Sequence, residues 1–327
     1  MGDKHKTTYL SMVAMRLFQQ VLCMLMLIGL LPNIAQAYTG VTVVISELNP
    51  ANQMLIDELA TQLINTQENR LRFSVKTVTA GNRLVVAENS ELVVAVGLPA
   101  FEAAAKLSTT TPVLGLKITL DDLQDVQEKS KRNKNNMTAI TLNQPNSRIV
   151  NLLKLALPEA KRVGVLVGLN GILNGEVLKT SASKAGVNLV LEQVNYQVDL
   201  MQKLTEVLAK VDALLAYPDA ETFNRDTAPA IFLSCFQNKK PVIGYSQSSV
   251  AAGALVAVYS DGKHLAQQVA EIAEQSKKAN TFLPTPQPPK YFSILVNKQV
   301  ARMLNISMQD EKILQKKMLD LEKQSLE

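Results

Sequence analysis

Residues 162–216 read RVGVLVGLNGILNGEVLKTSASKAGVNLVLEQVNYQVDLMQKLTEVLAKVDALLA. Three short runs rich in Val, Leu and Ala, at 162–167, 187–194 and 213–216, alternate with two segments, 175–185 and 200–210, whose apolar residues recur at helical spacing. Strands separated by whole helices cannot pair as hairpins. They pair in parallel through right-handed crossovers, with helices on both faces of the sheet.

The alternation extends in both directions. Upstream, 41–46, 72–78, 91–96 and 112–116 read as buried strands, and 51–65 and 99–107 as helices between them; 81–89 fits either pattern. A polar stretch, 121–136, interrupts the pattern before strand 137–142 and the turn Asn143-Gln144-Pro145, where the chain passes to a second lobe. Helix 147–157 then leads into the quoted stretch. After it come helix 221–238, strands 241–244 and 254–258, helix 264–277, the proline-rich stretch 283–289, strand 291–296 and a terminal helix. Ser307, three residues before Asp310, gives that last helix a capping-box-like start, and Ile313, Leu314, Met318 and Leu321 form an apolar stripe for lobe packing. The expected fold is α/β, with two doubly wound parallel-sheet lobes joined by three hinge crossings, near Asn143, near 259–261 and near 284–289. Lobe one takes 38–142 with 261–284, and lobe two takes 143–260 with 285–327.

Residues 1–37 read as a signal peptide. Lys4, Lys6 and Arg16 supply the positive charge, 21–31 the apolar run, Pro32 its end, and Ala35-Gln36-Ala37 a small-x-small cleavage site that leaves Tyr38 first. The run is too short for a membrane helix, which needs about 20 residues. Leu22 before Cys23 lacks the small side chain that lipid attachment at that cysteine requires. The expected location is the periplasm.

Without these residues the chain carries 31 basic against 28 acidic side chains, a balance that gives no large one-signed surface for nucleic acid. The basic run 129–134 lacks aromatics and reads as a solvated loop; Asp121, Asp122 and the acids of the last helix read as solvated faces. One cysteine, Cys235, and one histidine, His264, remain. A disulfide within the mature chain, a multi-histidine metal site and a triad are therefore not expected, and Cys235 sits in a core-like apolar helix. No phosphate-loop or dinucleotide glycine motif occurs. The reading is of a protein without catalysis, metal or cofactor.

The ordered set Leu157-Pro158-Glu159-Ala160-Lys161-Arg162-Val163-Gly164-Val165-Leu166, Val211-Asp212-Ala213-Leu214-Leu215, Lys240-Pro241-Val242-Ile243-Gly244, Ala252-Gly253-Ala254-Leu255, and 291–297 followed by Ala301, Leu304 and Ile306 resembles the ABC-transporter substrate-binding proteins of the type I periplasmic fold, the group that includes tryptophan- and tyrosine-transport binding proteins. The resemblance covers 137–320 well and the first lobe loosely. It implies a monomeric, two-lobed binding protein that closes around a small, amino-acid-like ligand and delivers it to an ABC permease in the inner membrane. A sensor or orphan binding module that presents its closed form to a signalling partner would need the same cleft. Two turns depart from the family pattern. Gly97-Leu98-Pro99-Ala100 stands where the family has Thr-Pro-Ala, and Asn170-Gly171-Ile172-Leu173-Asn174-Gly175 lacks the family's serine.

In doubly wound lobes, ligands gather at the carboxyl ends of the strands, where helix N-termini offer unpaired N–H groups. The ligand-binding candidates at those ends are Ser46, Glu47, Gly97, Leu98, Lys117, Asn170, Asn174, Asp219, Tyr245 and Ser246. Asp219 in Tyr217-Pro218-Asp219 matches the family's Pro-Thr-Asp position, and capping of the next helix is its other reading.

Overall fold

The computed structural model describes residues 40–65, 72–78, 84, 90–169, 171–195, 197–219, 221–279 and 283–324. The signal-peptide assignment and nearly all of 81–89 lie outside these residues.

Lobe one is built from β1 (Gly40–Ile45), α1 (Pro50–Asn65), β2 (Arg72–Thr77), β3 (Ser90–Val96), α2 (Leu98–Ala105), β4 (Val113–Ile118), α3 (Leu120–Lys129) and β5 (Met137–Thr141). Its strands run parallel in the order β2-β1-β3-β4-β5. Every residue of β1 is buried, as a central strand covered on both faces requires. Val41, Val43 and Ile45 pack with Leu55, Leu59 and Leu63 of α1, while Val44, Val93 and Ala95 pack with Phe101 of α2 and Leu123 of α3. Burying each such side chain contributes roughly 1.5–3 kcal/mol, so both helical layers are fixed on the sheet.

Lobe two repeats the plan with α4 (Asn146–Ala156), β6 (Arg162–Val167), α5 (Ile172–Lys184), β7 (Asn188–Gln193), α6 (Leu200–Leu208), β8 (Ala213–Leu215), α7 (Ala228–Gln237), β9 (Val242–Gly244), α8 (Gln247–Ala251) and β10 (Val256–Tyr259). Its order is β11-β10-β9-β8-β6-β7, where β11 (Ser293–Val296) runs antiparallel to β10 as an edge strand and the other pairs are parallel. Leaving β11 aside, the two sheets share one strand order and reverse direction at β1/β3 and at β6/β8. Those reversals are the topological switch points where open α/β sheets bind ligands.

Three crossings join the lobes. From β5 the chain passes through Asn143 into α4, which packs on α5 and on α11 (Glu311–Gln324). From β10 it returns to α9 (Gly262–Ala279), whose Leu265 and Val269 pack in the lobe-one core beside α1. It then runs beside β5, where Gln287 exchanges backbone bonds with Ala139 and Thr141, and crosses back to β11. The third passage therefore follows Gln287, inside the expected stretch 284–289. The crossings are tied by Arg148, 3% exposed, which donates to Gln144, Glu322 and the carbonyls of Pro289 and Lys290.

Several sequence expectations change. The polar stretch 121–136 is largely helix: Thr119 and Asp122 form a full capping box at the start of α3, and only Leu123 and Val126 of that helix are buried, so its apolar period was too sparse to read. Asp122 is accordingly a cap rather than a solvated acid. The helix expected from 221 starts at Ala228 because Asp219, Asn224 and Thr227 capture nearby backbone amides and hold 221–227 in turns. Asp310, not Ser307, caps α11, accepting from the amide of Lys312 at 3.0 Å. Leu314 and Met318 of α11 are fully buried, while Ile313 is half exposed. Two acids of that helix are bonded: Glu322 meets Arg148, and Glu311 accepts from the amide of Val296 at 2.9 Å. A short helix, α10 (Lys298–Met303), precedes it.

Candidate functional site

The carboxyl ends of β1 and β3 bring Ser46 beside Gly97; a Cβ at Gly97 would stand 3.9 Å from the Ser46 hydroxyl. Gly97 has φ +86° as it enters α2, a conformation that side chains resist, so the turn that replaces the family's threonine is one glycine favours. Leu98, half-buried, opens α2. Lys117 is the extra residue of a bulge between β4 and β5, with φ +55°, and its Nζ donates to Asn52 Oδ1 at 2.9 Å. Burial pushes the Lys117 ammonium below its usual pKa range. Asn52 in turn donates to the carbonyl of Glu47 at 2.8 Å, so these residues form one polar wall on lobe one.

The facing wall is built at the lobe-two switch point. Oδ2 of Asp219 accepts from the Gly168 amide at 2.5 Å, and Oδ1 accepts from the Glu221 amide at 2.8 Å. Oε2 of Glu221 accepts from the Leu169 amide at 2.7 Å. The two carboxylates thus tie the turn after β8 to the turn after β6. This geometry also explains the glycines there: a side chain at Gly168 would collide with Glu221, and a Cβ at Gly171 would lie 2.8 Å from Oδ2 of Asp219. Asp219 is 9% exposed and caps a turn rather than an α-helix.

Between the walls, Asn143 accepts from the Leu120 amide of lobe one and donates to the Tyr217 hydroxyl of lobe two, both at 2.9 Å. Asn174 of α5 donates to Asp121 of α3 at 2.5 Å, and Arg225 approaches Glu47 at 3.9 Å. Both contacts join the lobes. Burial pushes the phenols of Tyr217 and Tyr245 up to about 12, so each stays a neutral hydrogen-bonding group, and the Tyr245 ring meets Phe223 edge-on at 6.3 Å. The Asp121 carboxyl is pushed up to about 6, first by burial and then by the charges of Asp219, Asp122 and Glu221.

Asn174, Asp219 and Tyr245 therefore converge, and Ser46, Glu47, Gly97, Leu98 and Lys117 line the lobe-one side. Ser246 caps α8, its hydroxyl accepting from the Ser249 amide at 3.0 Å. Asn170 lies outside the described residues. Asp121 was expected on a solvated face, and it is half-buried where the lobes meet, near Asn143, Tyr217 and Glu221. The signal for Asp121 was the Thr119-x-x-Asp122 box, which sets a helix start directly after the carboxyl end of β4.

Among the described residues, no three carboxylate, imidazole or thiol groups lie close enough to hold a metal ion, and no helix is long and apolar enough to cross a membrane. Cys235 is buried in lobe two while His264 sits in α9, packed on lobe one, so the two are not a pair. A cavity of about 680 Å³ lies at the opposite end of lobe one, lined by Lys106, Lys129, Lys131 and Arg132 beside the last turns of α2 and α3. Cations suit helix C-termini, and Arg132 donates to the carbonyls of Leu107 and Thr111 there. Part of the basic run expected as a solvated loop is thus structural.

A family model described as ABC transporter substrate binding protein matches residues 44–318. A curated tyrosine-binding protein of Clostridioides difficile is 21% identical over 191 residues, which is 58% of this chain and 55% of that protein, so the match spans about half of the relative's length. Among solved structures, an ABC domain from Streptococcus pneumoniae in complex with L-Trp has a TM-score of 0.60 at 21% identity, covering 84% of this chain and 96% of that one. A ligand-free, open substrate-binding protein with adhesive properties from Clostridium difficile has a TM-score of 0.62 at 18% identity, covering 83% and 96%. These likenesses carry the type I periplasmic-binding fold, and with a family model that spans most of its length, the chain belongs to the ABC transporter substrate-binding proteins.

Proposed function

We propose that this chain is a periplasmic solute receptor that captures an amino-acid-like molecule between its lobes and hands it, as a monomer and without chemical change, to an ABC permease in the inner membrane. The observation that carries this reading is the meeting of polar groups from both lobes across the two switch points, with Asp121 on Asn174 and Glu47 near Arg225. A ligand seated there touches both lobes, and so shifts the balance between open and closed forms. The opposed chemistries suit a zwitterion. Lys117 offers a desolvated cation to a carboxylate, while the carboxylates of the other wall suit an ammonium. Phe223 and Tyr245 pack edge-on within lobe two near Asp219, an aromatic surface for a side chain like that of tyrosine or tryptophan. The printed names of the relatives, one tyrosine-binding and one crystallised with L-Trp, support an amino acid. The contacting residues proposed are Ser46, Glu47, Gly97, Leu98, Lys117, Asn170, Asn174, Asp219, Tyr245 and Ser246, with Asp121 and Tyr217 added. Residues 1–37 direct export and are removed.

Native mass spectrometry of protein recovered from the periplasmic fraction tests this directly. The expected spectrum shows a chain beginning at Tyr38 or a neighbouring residue and carrying one non-covalent adduct of amino-acid size. An intact Met1 in the membrane fraction, or a protein that never carries an adduct, would overturn the reading.

A further inference from the structure

Asp121 occupies the first turn of α3, where the helix N-terminus favours a carboxylate. With the lobes in contact it is half-buried, and its Oδ1 receives the Nδ2–H of Asn174 from lobe two at 2.5 Å. The charges around it are of its own sign. Asp122 shares its helix, and Asp219 and Glu221 act on it from the lobe-two wall. Tyr217 and Tyr245 of that wall stay neutral, and its Arg225 is directed to Glu47 at 3.9 Å. On the lobe-one elements that pack against α3, Lys117 turns to Asn52, and Glu102 of α2 acts on Lys129 at the far end of the helix. Asp219 and Glu221 cannot move away, because their oxygens hold the amides of Gly168, Glu221 and Leu169. Bringing the lobes together therefore moves one carboxylate of lobe one towards two anchored ones of lobe two, and its cross-lobe hydrogen-bond partner among the described residues is the amide of Asn174.

We propose that Asp121 is the charge gate of the cleft: the lobes close when a cation, either the ammonium of a ligand or a proton, neutralises this carboxylate between the two walls. The inference rests on the two-lobed binding reading above and narrows its ligand to molecules that present a positive charge to Asp121. A neutral or purely anionic solute of the same size leaves the repulsion in place and is rejected.

The consequence for pH follows from linkage. The Asp121 carboxyl has a pKa of about 6 with the lobes in contact, against the ordinary 3.8 that a separated, hydrated lobe restores. Closure thus takes up a proton. It is favoured below the ordinary value and lost as pH rises through about 6. Between about pH 8 and about pH 5 the closed-to-open ratio of the ligand-free protein should rise roughly five- to tenfold, the lower figure allowing for the solvent exposure of the group.

Electron–electron double resonance between spin labels at Lys131→Cys and Lys316→Cys, one exposed site on each lobe, reads that ratio without any ligand. Cys235 stays unlabelled, being buried with its thiol pushed up to about 12. The labelled protein should gain its short-distance population on acidification. Asp121→Asn keeps the shape and removes the charge, so it should show the acid distribution at every pH. Asn174→Asp adds a facing carboxylate and should stay open well below the pH at which the parent closes. A distance distribution that ignores pH in the parent, or an Asp121→Asn protein that titrates like the parent, would overturn the gate. Because no ligand enters, the gate can fail while solute binding stands; an adduct-free protein that still closes with acid would leave the gate standing and sink the receptor reading.

Discussion

Replacing Arg148 by alanine should lower the stability of the whole protein by about 3–5 kcal/mol, the range for breaking a buried charge pair from one side. The side chain is 3% exposed and makes hydrogen bonds to four different residues: Glu322 at 2.5 Å and 3.2 Å, Gln144 at 2.7 Å, Pro289 O at 2.8 Å and Lys290 O at 3.2 Å. Its guanidinium also lies 4.2 Å from the centre of the Phe292 ring. Removal takes the Arg148 donor away from two carbonyls, an amide oxygen and the Glu322 carboxylate at the point where the first and third crossings touch. For a chain of this size the melting temperature should fall by roughly 10 °C. Arg148→Lys should recover little of the loss, because a single ammonium cannot replace a planar fork that serves several acceptors. A melt of Arg148→Ala within a degree or two of the parent would show that the crossings are not held there.

Asp219→Ala should cost both stability and ligand affinity. Its two oxygens satisfy the amides of Gly168 and Glu221, and hydrogen bonds to a charged group contribute about 1.5–3 kcal/mol each, so a loss of about 3–6 kcal/mol is expected in a chemical denaturation curve. Affinity should fall with it, since the turns after β6 and β8 form the lobe-two wall. Asp219→Asn separates this account from a contact made to the ligand alone. Both oxygens accept in the folded protein, so an amide must turn its NH2 towards one backbone N–H and should be nearly as damaging as alanine. Unchanged stability in Asp219→Asn, with weakened binding, would make Asp219 a ligand contact only.

The fold was legible because its signals were strong and local. Buried parallel strands such as 162–167 leave unbroken apolar runs, and α9 could be assigned to lobe one because the crossings expected near 259–261 and 284–289 bracket it. Two misreadings of helix starts share one physical cause, namely side chains that bond the backbone. Thr119 with Asp122 starts a helix inside a polar stretch, and Asp219, Asn224 and Thr227 delay another by seven residues. Such bonds have no periodicity to betray them. The antiparallel β11 looked like its parallel neighbours because pairing direction leaves no mark in a four-residue apolar run. The strand-end rule named Ser46, Gly97, Lys117, Asn174, Asp219 and Tyr245 from position alone, and their contact with a ligand is part of the proposed function. It missed Asp121 because two adjacent acids in a polar stretch look solvated, whereas their burial depends on lobe two, more than fifty residues further along the chain.

A receptor of this fold works only if a small solute draws its two lobes together. The direct measurement is the distance between labels on the two lobes, in ligand-stripped protein, while the common amino acids are added one at a time at about neutral pH. At least one that carries a free ammonium should collapse a broad distribution to a single shorter distance, and its desamino analogue should not. If every amino acid leaves the distribution unchanged, the chain has the fold of a solute receptor without the closure that such a receptor needs.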